Sequence, residues 1–423
     1  MGDTQRAPGS RLPRALRPFR HREYRLLATS LALSLLASGV WLVAIVWQVI
    51  GLGGGPATLS LVSAAASVGL LVSVLAGGVV ADRVPRRRVL RSVEAVRVAA
   101  TGLAATLSLT GLLAVWHLVV LAFVVGAAEA FYFPSLTALL PAVLPADELL
   151  AANGVEQTLR PAATQAFGPA LAGLVVGALV PGAGLLTACL AYCAALVPLL
   201  ALRIGATRAG PDDGRGTVLA DLREGFRYLL RTGWLFASLS FAMLYALVVV
   251  GPVQVLVPFA VRDQTGGGPG AYAFVLAAYG AGGVAGSLLV ASRRMPRRYL
   301  TVMLTMWGFG ALPLAALGVA DVLAVMAAAA FVVGLTNAGA GVVWGTLLQR
   351  RVPEHLLGRV SSLDFFVSLA LMPVSMALAG PAGVAIGIPA TFLVAAVVPA
   401  VLAIVAIVAF RLPRDETTHP LDA

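Results

Sequence analysis

The chain has 423 residues, 59% of them hydrophobic and 12% charged, with a formal net charge of +11. A water-soluble fold carries about 25% charged residues, whereas here apolar runs long enough to cross a bilayer recur along the whole length; only helices or closed barrels satisfy the backbone in lipid, and continuous runs select helices. Every basic residue is an arginine, so the chain holds no Walker A loop, hence no ATP-driven pump of its own, and no Schiff-base lysine.

Taken in chain order, apolar spans are predicted at about 26–50, 57–81, 92–114, 117–140, 155–180, 183–204, 234–259, 270–292, 299–318, 322–347, 360–380 and 385–410. The first is too long for a signal-peptide core and no soluble domain follows it, so it reads as a membrane helix. Counted on alternate sides, every arginine but Arg262 falls on one side. The positive-inside rule then places both termini in the cytoplasm of a cell-membrane protein, and it accounts for the positive charge without a nucleic-acid partner. Cys189 and Cys193 lie one turn apart on an apolar span and read as buried packing residues. His21, His117, His355 and His419 are scattered near span ends or in tails. No metal site, no cofactor and no enzymatic activity are expected.

The two halves echo each other. GGGPATLSLVSAAASVG from Gly53 returns as GGGPGAYAFVLAAYGAG from Gly266, DRVPRR from Asp82 as RRMPRR from Arg293, and TALLPAVLP from Thr137 more weakly as GTLLQRRVP from Gly345. Six spans per half is an even number, so both copies face the same way: a parallel repeat. The expected fold is an all-α integral membrane protein of twelve transmembrane helices in two parallel six-helix pseudo-repeats. Its parts are a cytoplasmic tail (1–25), an N-terminal bundle (26–204), a cytoplasmic linker (205–233), a C-terminal bundle (234–410) and a second tail (411–423). In the linker, VLADLREGFRYLLRTG reads as an amphipathic helix with Leu222, Phe226, Tyr228, Leu229 and Leu230 at the membrane surface.

GVVADRVPRR, from Gly78 to Arg87, resembles the loop signature between the second and third helices of the major facilitator superfamily, with Pro85 where that signature has glycine. Gly168, Pro169 and Gly173 in the fifth span are similar to its exporter-associated Gly-Pro motif, with Ala172 replacing a glycine. The fourth span has Phe123 where many proton-coupled drug exporters carry arginine. LLAANGVEQTLRPAATQAFGPALAG and HLLGRVSSLDFFVSL resemble the branch that includes the enterobactin exporter and macrolide-efflux-like proteins. The resemblance implies a conformational latch: Gly78, Asp82, Arg83 and Arg86 near the start of the eleventh helix, where Arg83 or Arg86 could pair with Asp364. Asp364 follows Ser361 at capping-box spacing.

Without ATP chemistry, transport needs an ion gradient or downhill flow. Glu129 is the deepest acidic residue, about twelve residues (~18 Å) inside the fourth span. It is the candidate for proton coupling, because an unpaired ionised carboxylate there is costly and intramembrane ionisable groups are functional by default. The alternative is a protonated carboxyl bonded to a neighbouring helix with no coupling role. Pro134 should leave the Ala130 carbonyl unbonded and break the helix locally. Glu94 with Arg97, and Glu156 with Arg160, read as structural pairs near span ends worth little individually. Candidate cavity residues are Ser34, Ser38, Trp41 and Gln48 on one face of the first span, Ser368 and Met372 in the eleventh, and Tyr132, Gln165, Tyr245, Gln254 and Asn337 elsewhere. Each of these also reads as a helix–helix hydrogen-bonding residue. Sparse polar groups in an apolar wall suit an amphipathic organic molecule better than a sugar. The faces holding Gly173 with Gly177, and Gly282 with Gly286, read as close-packing sites.

The expected function is secondary active transport: proton-coupled export of an amphipathic drug-, antibiotic- or siderophore-like molecule by a monomer whose partners are its substrate, protons and the bilayer. The alternatives are an importer or facilitator with the same fold, and a non-transporting membrane sensor or scaffold.

Overall fold

The computed structural model describes residues 14–145, 148–203 and 226–421, with the side chains of 14–16, 75–83, 133, 138, 150, 157, 354, 355, 358, 359 and 362 excepted. Gly78, Asp82 and Arg83 of the expected latch, and Leu222 of the linker, therefore lie outside the described residues. The first four helices are α1 (Arg22–Gly51), α2 (Pro56–Arg83), α3 (Arg86–Leu109) and α4 (Val115–Leu139). Prolines at or beside the first position set several starts, where a missing N–H costs nothing. Gly53 and Gly111, at φ 78° and 74°, supply left-handed turns after α1 and α3.

The fifth span is composite. An α-helix, α5 (Leu149–Pro161), passes through a π-helical segment, π1 (Ala162–Phe167), into α6 (Gly168–Ala178). Prolines 161 and 169 flank the π segment and remove two donors from the ladder, so the backbone widens there. After α7 (Pro181–Ala201) the seventh span repeats the device: α8 (Gly233–Tyr245), π2 (Ala246–Val250), π3 (Pro252–Leu256) and α9 (Val257–Thr265). The Gly251 N–H between π2 and π3 donates to Ser375 Oγ at 2.8 Å, which satisfies a group the bulge would otherwise strand. The remaining helices are α10 (Pro269–Ala291), α11 (Tyr299–Gly310), α12 (Leu314–Val319), α13 (Leu323–Arg351), α14 (Glu354–Ala370), α15 (Met372–Ala385), α16 (Ile388–Ala409) and α17 (Leu412–Thr418).

Among the described residues, eleven helical stretches are long and apolar enough to cross a membrane; the composite α5–α6 segment, which falls where the fifth of the twelve expected spans was placed, is not among them. The repeat is visible in the packing. A Cβ on Gly69 of α2 would run into the Phe123 carbonyl of α4, and one on Gly126 into Ala66. In the second half Gly282 of α10 meets the Phe331 carbonyl of α13, and Gly334 meets Tyr279. Gly69 and Gly282 stand at the same offset as Gly53 and Gly266, and Gly126 and Gly334 at that of Thr137 and Gly345. The same backbone-to-backbone crossing is thus built twice, as small residues allow in lipid.

The halves join toward the end remote from the termini. There Gly380 of α15 donates its N–H to Ser60 Oγ of α2 at 2.6 Å, Trp47 stacks on Tyr272 with centroids 5.7 Å apart, and a Cβ on Gly173 would lie 3.0 Å from that of Ala273. At the arginine-rich end, His21 contacts Glu148 at 3.1 Å, and α17 is strapped to the second half by Arg351–Asp415 and by Glu416, which accepts from the Thr301 N–H at 2.7 Å.

Several local expectations change. The third helix starts at Arg86 rather than near 92, because Pro85 sets its first turn and the arginines that follow are good helix formers. α4 continues through Pro134 to Leu139, so no break occurs there. The N-cap of α14 is Pro353, which leaves Ser361 and Asp364 inside the helix and not at a capping box. Gly177 meets no heavy atom within 4 Å of an added Cβ and is no packing site, whereas Gly286 abuts the Leu335 backbone as expected. Cys189 and Cys193 are half-buried, and the Cys189 thiol points to the Val98 carbonyl at 3.6 Å.

Candidate functional site

A cavity of about 220 Å³ lies between the halves, with walls from α1, α2, α4, π3 and α15. Trp41, Ser63, Glu129, Gln254, Met372 and Met376 line it. Trp41, Gln254 and Met372 are among the cavity candidates taken from the sequence, whereas Glu129 was expected as the proton-coupling residue. Ser63, Ser67 and Met376 were not, since hydroxyls and methionines on apolar helices carry no signal distinguishing cavity from core.

Behind Glu129 is a charged cluster that the sequence reading misjudged. Arg97 of α3 is 1% exposed and Glu94 is fully buried. Eleven residues into α3, Arg97 lies about 16 Å from that helix's first residue. It is no span-end charge, and its pair with Glu94 is no surface pair. The guanidinium donates through Nη2 to Glu129 Oε2 and through Nη1 to Ser34 Oγ (2.9 Å) and Glu94 Oε1 (3.5 Å). Ser34 in turn donates to Glu94 Oε1 at 2.6 Å. The guanidinium carbon stands 4.8 Å from the Tyr132 ring centroid and 5.5 Å from that of Tyr192, so aromatic faces share the positive charge. Glu94 Oε2 and Arg97 Nε have no hydrogen-bond partner among the described residues. Glu129 is therefore paired, contrary to expectation, while its side chain remains 33% exposed at the cavity wall. The signal that could have exposed the cluster is the helix start: placing it at Arg86 brings Arg97 to the middle of α3.

The other sequence candidates divide. Ser34 and Tyr132 belong to the cluster, and Ser38 bonds Tyr192 at 2.9 Å beside it. Gln48 accepts from Ser108 at 2.8 Å, tying α1 to α3. Gln165 packs under Gly280, where the halves meet. Tyr245 packs on Phe241. Asn337 accepts from Trp307 and donates to Tyr279, at 3.0 and 2.9 Å. Ser368 is half-buried on α14. Asp364 accepts from Trp344 Nε1 at 3.1 Å within its own half. Arg160 pairs with Glu156 at 2.8 Å as expected. Gly168 and Pro169 serve packing: a Cβ on Gly168 would lie 2.7 Å from the Gly39 Cα and 2.8 Å from the Leu36 carbonyl oxygen of α1.

By the repeat, Asn337 stands where Glu129 stands in the first half, and Gly308 where Arg97 stands. The second half thus holds a neutral hydrogen-bonded triad at the place where the first holds charges.

The family model of transmembrane secretion effectors, a major facilitator model, matches residues 14–422. The chain belongs to this family. Among its relatives, the multidrug efflux pump Tap of Mycolicibacterium fortuitum is 29% identical over 388 residues, covering 89% of this chain and 92% of that one. Macrolide efflux protein A of Streptococcus pyogenes is 24% identical over 376 residues, 88% and 92% of the two chains. Among solved structures, the nucleoside transporter NupG superposes with a TM-score of 0.72 at 11% identity, over 92% of this chain and 99% of that one. A bacterial homologue of the iron transporter ferroportin, in its inward-facing state, gives 0.67 at 17% identity, over 90% and 98%. These two likenesses establish the major facilitator fold alone. The chain is accordingly a multi-pass membrane transporter.

Proposed function

We propose that this transporter is a proton-coupled exporter of a compact amphipathic molecule, working in the cell membrane as a monomer with both termini cytoplasmic. The observation that carries the reading is the double position of Glu129, in the wall of the cavity and in an ion pair with a buried arginine. Arg97 offers one positive charge to two carboxylates, so the fully ionised cluster is one cation short. In a low-dielectric site that deficit is costly, and either a proton or a cationic group of the substrate at Glu129 removes it. Competition between the two at one carboxylate links uptake of a proton to release of a substrate. The bundles 26–204 and 234–410 rock about the cavity, and a latch of Gly78, Asp82, Arg83 and Arg86 with Asp364 holds the arginine-rich ends together in the outward-open state.

Efflux relatives support the outward direction, and Trp41 with Met372 and Met376 supports an apolar substrate. At about 220 Å³ the cavity is smaller than drug-sized sites of roughly 300–1,000 Å³, which favours a compact amphiphile over a whole macrolide in this conformation. The test is transport by the purified protein in liposomes under an imposed pH gradient, with a panel of amphipathic cations and antibiotics. Gradient-driven movement that Glu129→Gln abolishes, with the variant still folded, is the expected result. Movement indifferent to the gradient would mean a facilitator, movement down the opposite vector an importer, and no movement of any compound a sensor.

A further inference from the structure

The cytoplasm-ward turn of the second half differs in charge from its counterpart. Where the first half has Asp82 in DRVPRR, the second has Arg293 in RRMPRR. Arg293, Arg294 and Arg350 line a cavity of about 290 Å³ between the end of α10, the turn that follows it and the end of α13. Val290, Met295 and Val342 form its apolar floor, and none of the described residues that line it is acidic. Arg293 and Arg294 are exposed and make no hydrogen bond or ion pair with any described residue. Both helices end here and are long and apolar enough to cross a membrane; arginines at such ends belong at the bilayer surface, with apolar neighbours toward the hydrocarbon.

We propose that this cavity binds an anionic phospholipid, its phosphate held by Arg293 and Arg294 and its glycerol-ester region and first acyl carbons on Val290, Met295 and Val342. The guanidinium fork matches a phosphate bidentately, and basic pockets between membrane helices select anionic headgroups. A free phosphate would use the rim only; the apolar floor favours the lipid as its source. The second-half turn lacks the acidic residue of its counterpart, so it presents only cations to an anionic headgroup.

The experiment is native mass spectrometry of the full chain, loaded with phosphatidylglycerol or with phosphatidylcholine of the same acyl chains. Wild type is expected to retain phosphatidylglycerol preferentially. Arg293→Gln and Arg294→Gln should each lower that retention about fivefold without changing phosphatidylcholine, whereas the lysine variants keep most of it. Val342→Trp, which fills the floor but leaves the charges, should lower it too. Arg297→Gln lies outside the cavity and is the control. Equal losses from Arg297→Gln would mean diffuse charge attraction and overturn the site. So would retention unchanged in both cavity arginine variants, or binding of inorganic phosphate that displaces the lipid and ignores Val342→Trp. Both arginines are exposed, so the glutamine variants should keep the wild-type size-exclusion profile.

Discussion

Arg97 of α3 donates directly to Glu129 of α4, and that bond joins a fully buried guanidinium to a carboxylate in the cavity wall. One arginine holds two acidic side chains, of which only Glu129 reaches the cavity. The buried charge cluster of the first half and the cavity wall therefore meet at one ion pair.

Removing that residue should be severe. Arg97→Met leaves Glu94 and Glu129 without their cation, and breaking a buried pair this way costs about 3–5 kcal/mol. A large drop in the unfolding midpoint of the detergent-solubilised protein, by scanning fluorimetry, is expected. Adding Glu94→Gln and Glu129→Gln to Arg97→Met should restore most of the midpoint while transport stays lost. A triple variant as unstable as the single one would assign Arg97 to packing against Tyr132 and Tyr192 instead.

Glu94→Gln separates the two carboxylates. It removes the surplus negative charge but keeps an oxygen for Ser34, so the Arg97–Glu129 pair loses its competitor and tightens. Substrate binding is expected to persist while turnover falls, read as a reduced maximal rate with a near-unchanged half-saturating concentration in liposomes. A wild-type maximal rate would remove Glu94 from the coupling.

Glycine substitutions should divide by crossing geometry. Gly168→Ala pushes a methyl against the α1 backbone at Gly39 and Leu36, and overpacking of this kind costs about 1–3 kcal/mol. Gly177→Ala enters open space and gains up to about 1 kcal/mol of helix propensity. Midpoints moving in opposite directions would support both; equal shifts would count against the α1–α6 contact.

The Gly380–Ser60 contact is expected to close the end remote from the termini. A Cβ on Gly380 meets the Pro56 carbonyl, so Gly380→Val should part α2 from α15. The readout is labelling of a cysteine at Ser63, in a Cys189→Ser, Cys193→Ser background, by an impermeant maleimide applied from that side. Faster labelling is expected; an unchanged rate would mean the contact does not gate the cavity.

Much of this molecule is determined locally. The spans follow from hydropathy, which depends only on the residues within each window. The repeat follows from motif echoes, and the depth of Glu129 from its distance along the fourth span. Trp41 and Met372 could be named as cavity candidates because each shares a helix face with a stripe of polar residues, and Gln254 because it is an isolated polar residue on an apolar helix.

What the tertiary structure alone decided is partnership. Ser34 and Trp41 lie on one face of α1, yet one enters the charged cluster and the other the cavity, because α3 and α7 cover one stretch of that face and the second half approaches the other. Arg97 read as a span-end charge until the helix start was seen at Arg86. Its bond to Glu129 depends on how α3 and α4 rotate against each other. Such rotations are set by close backbone crossings, like those at Gly69 and Gly126, summed over the whole bundle. Hydropathy is a property of each helix by itself, whereas the face a helix presents, and the charge it meets there, belong to the packed assembly.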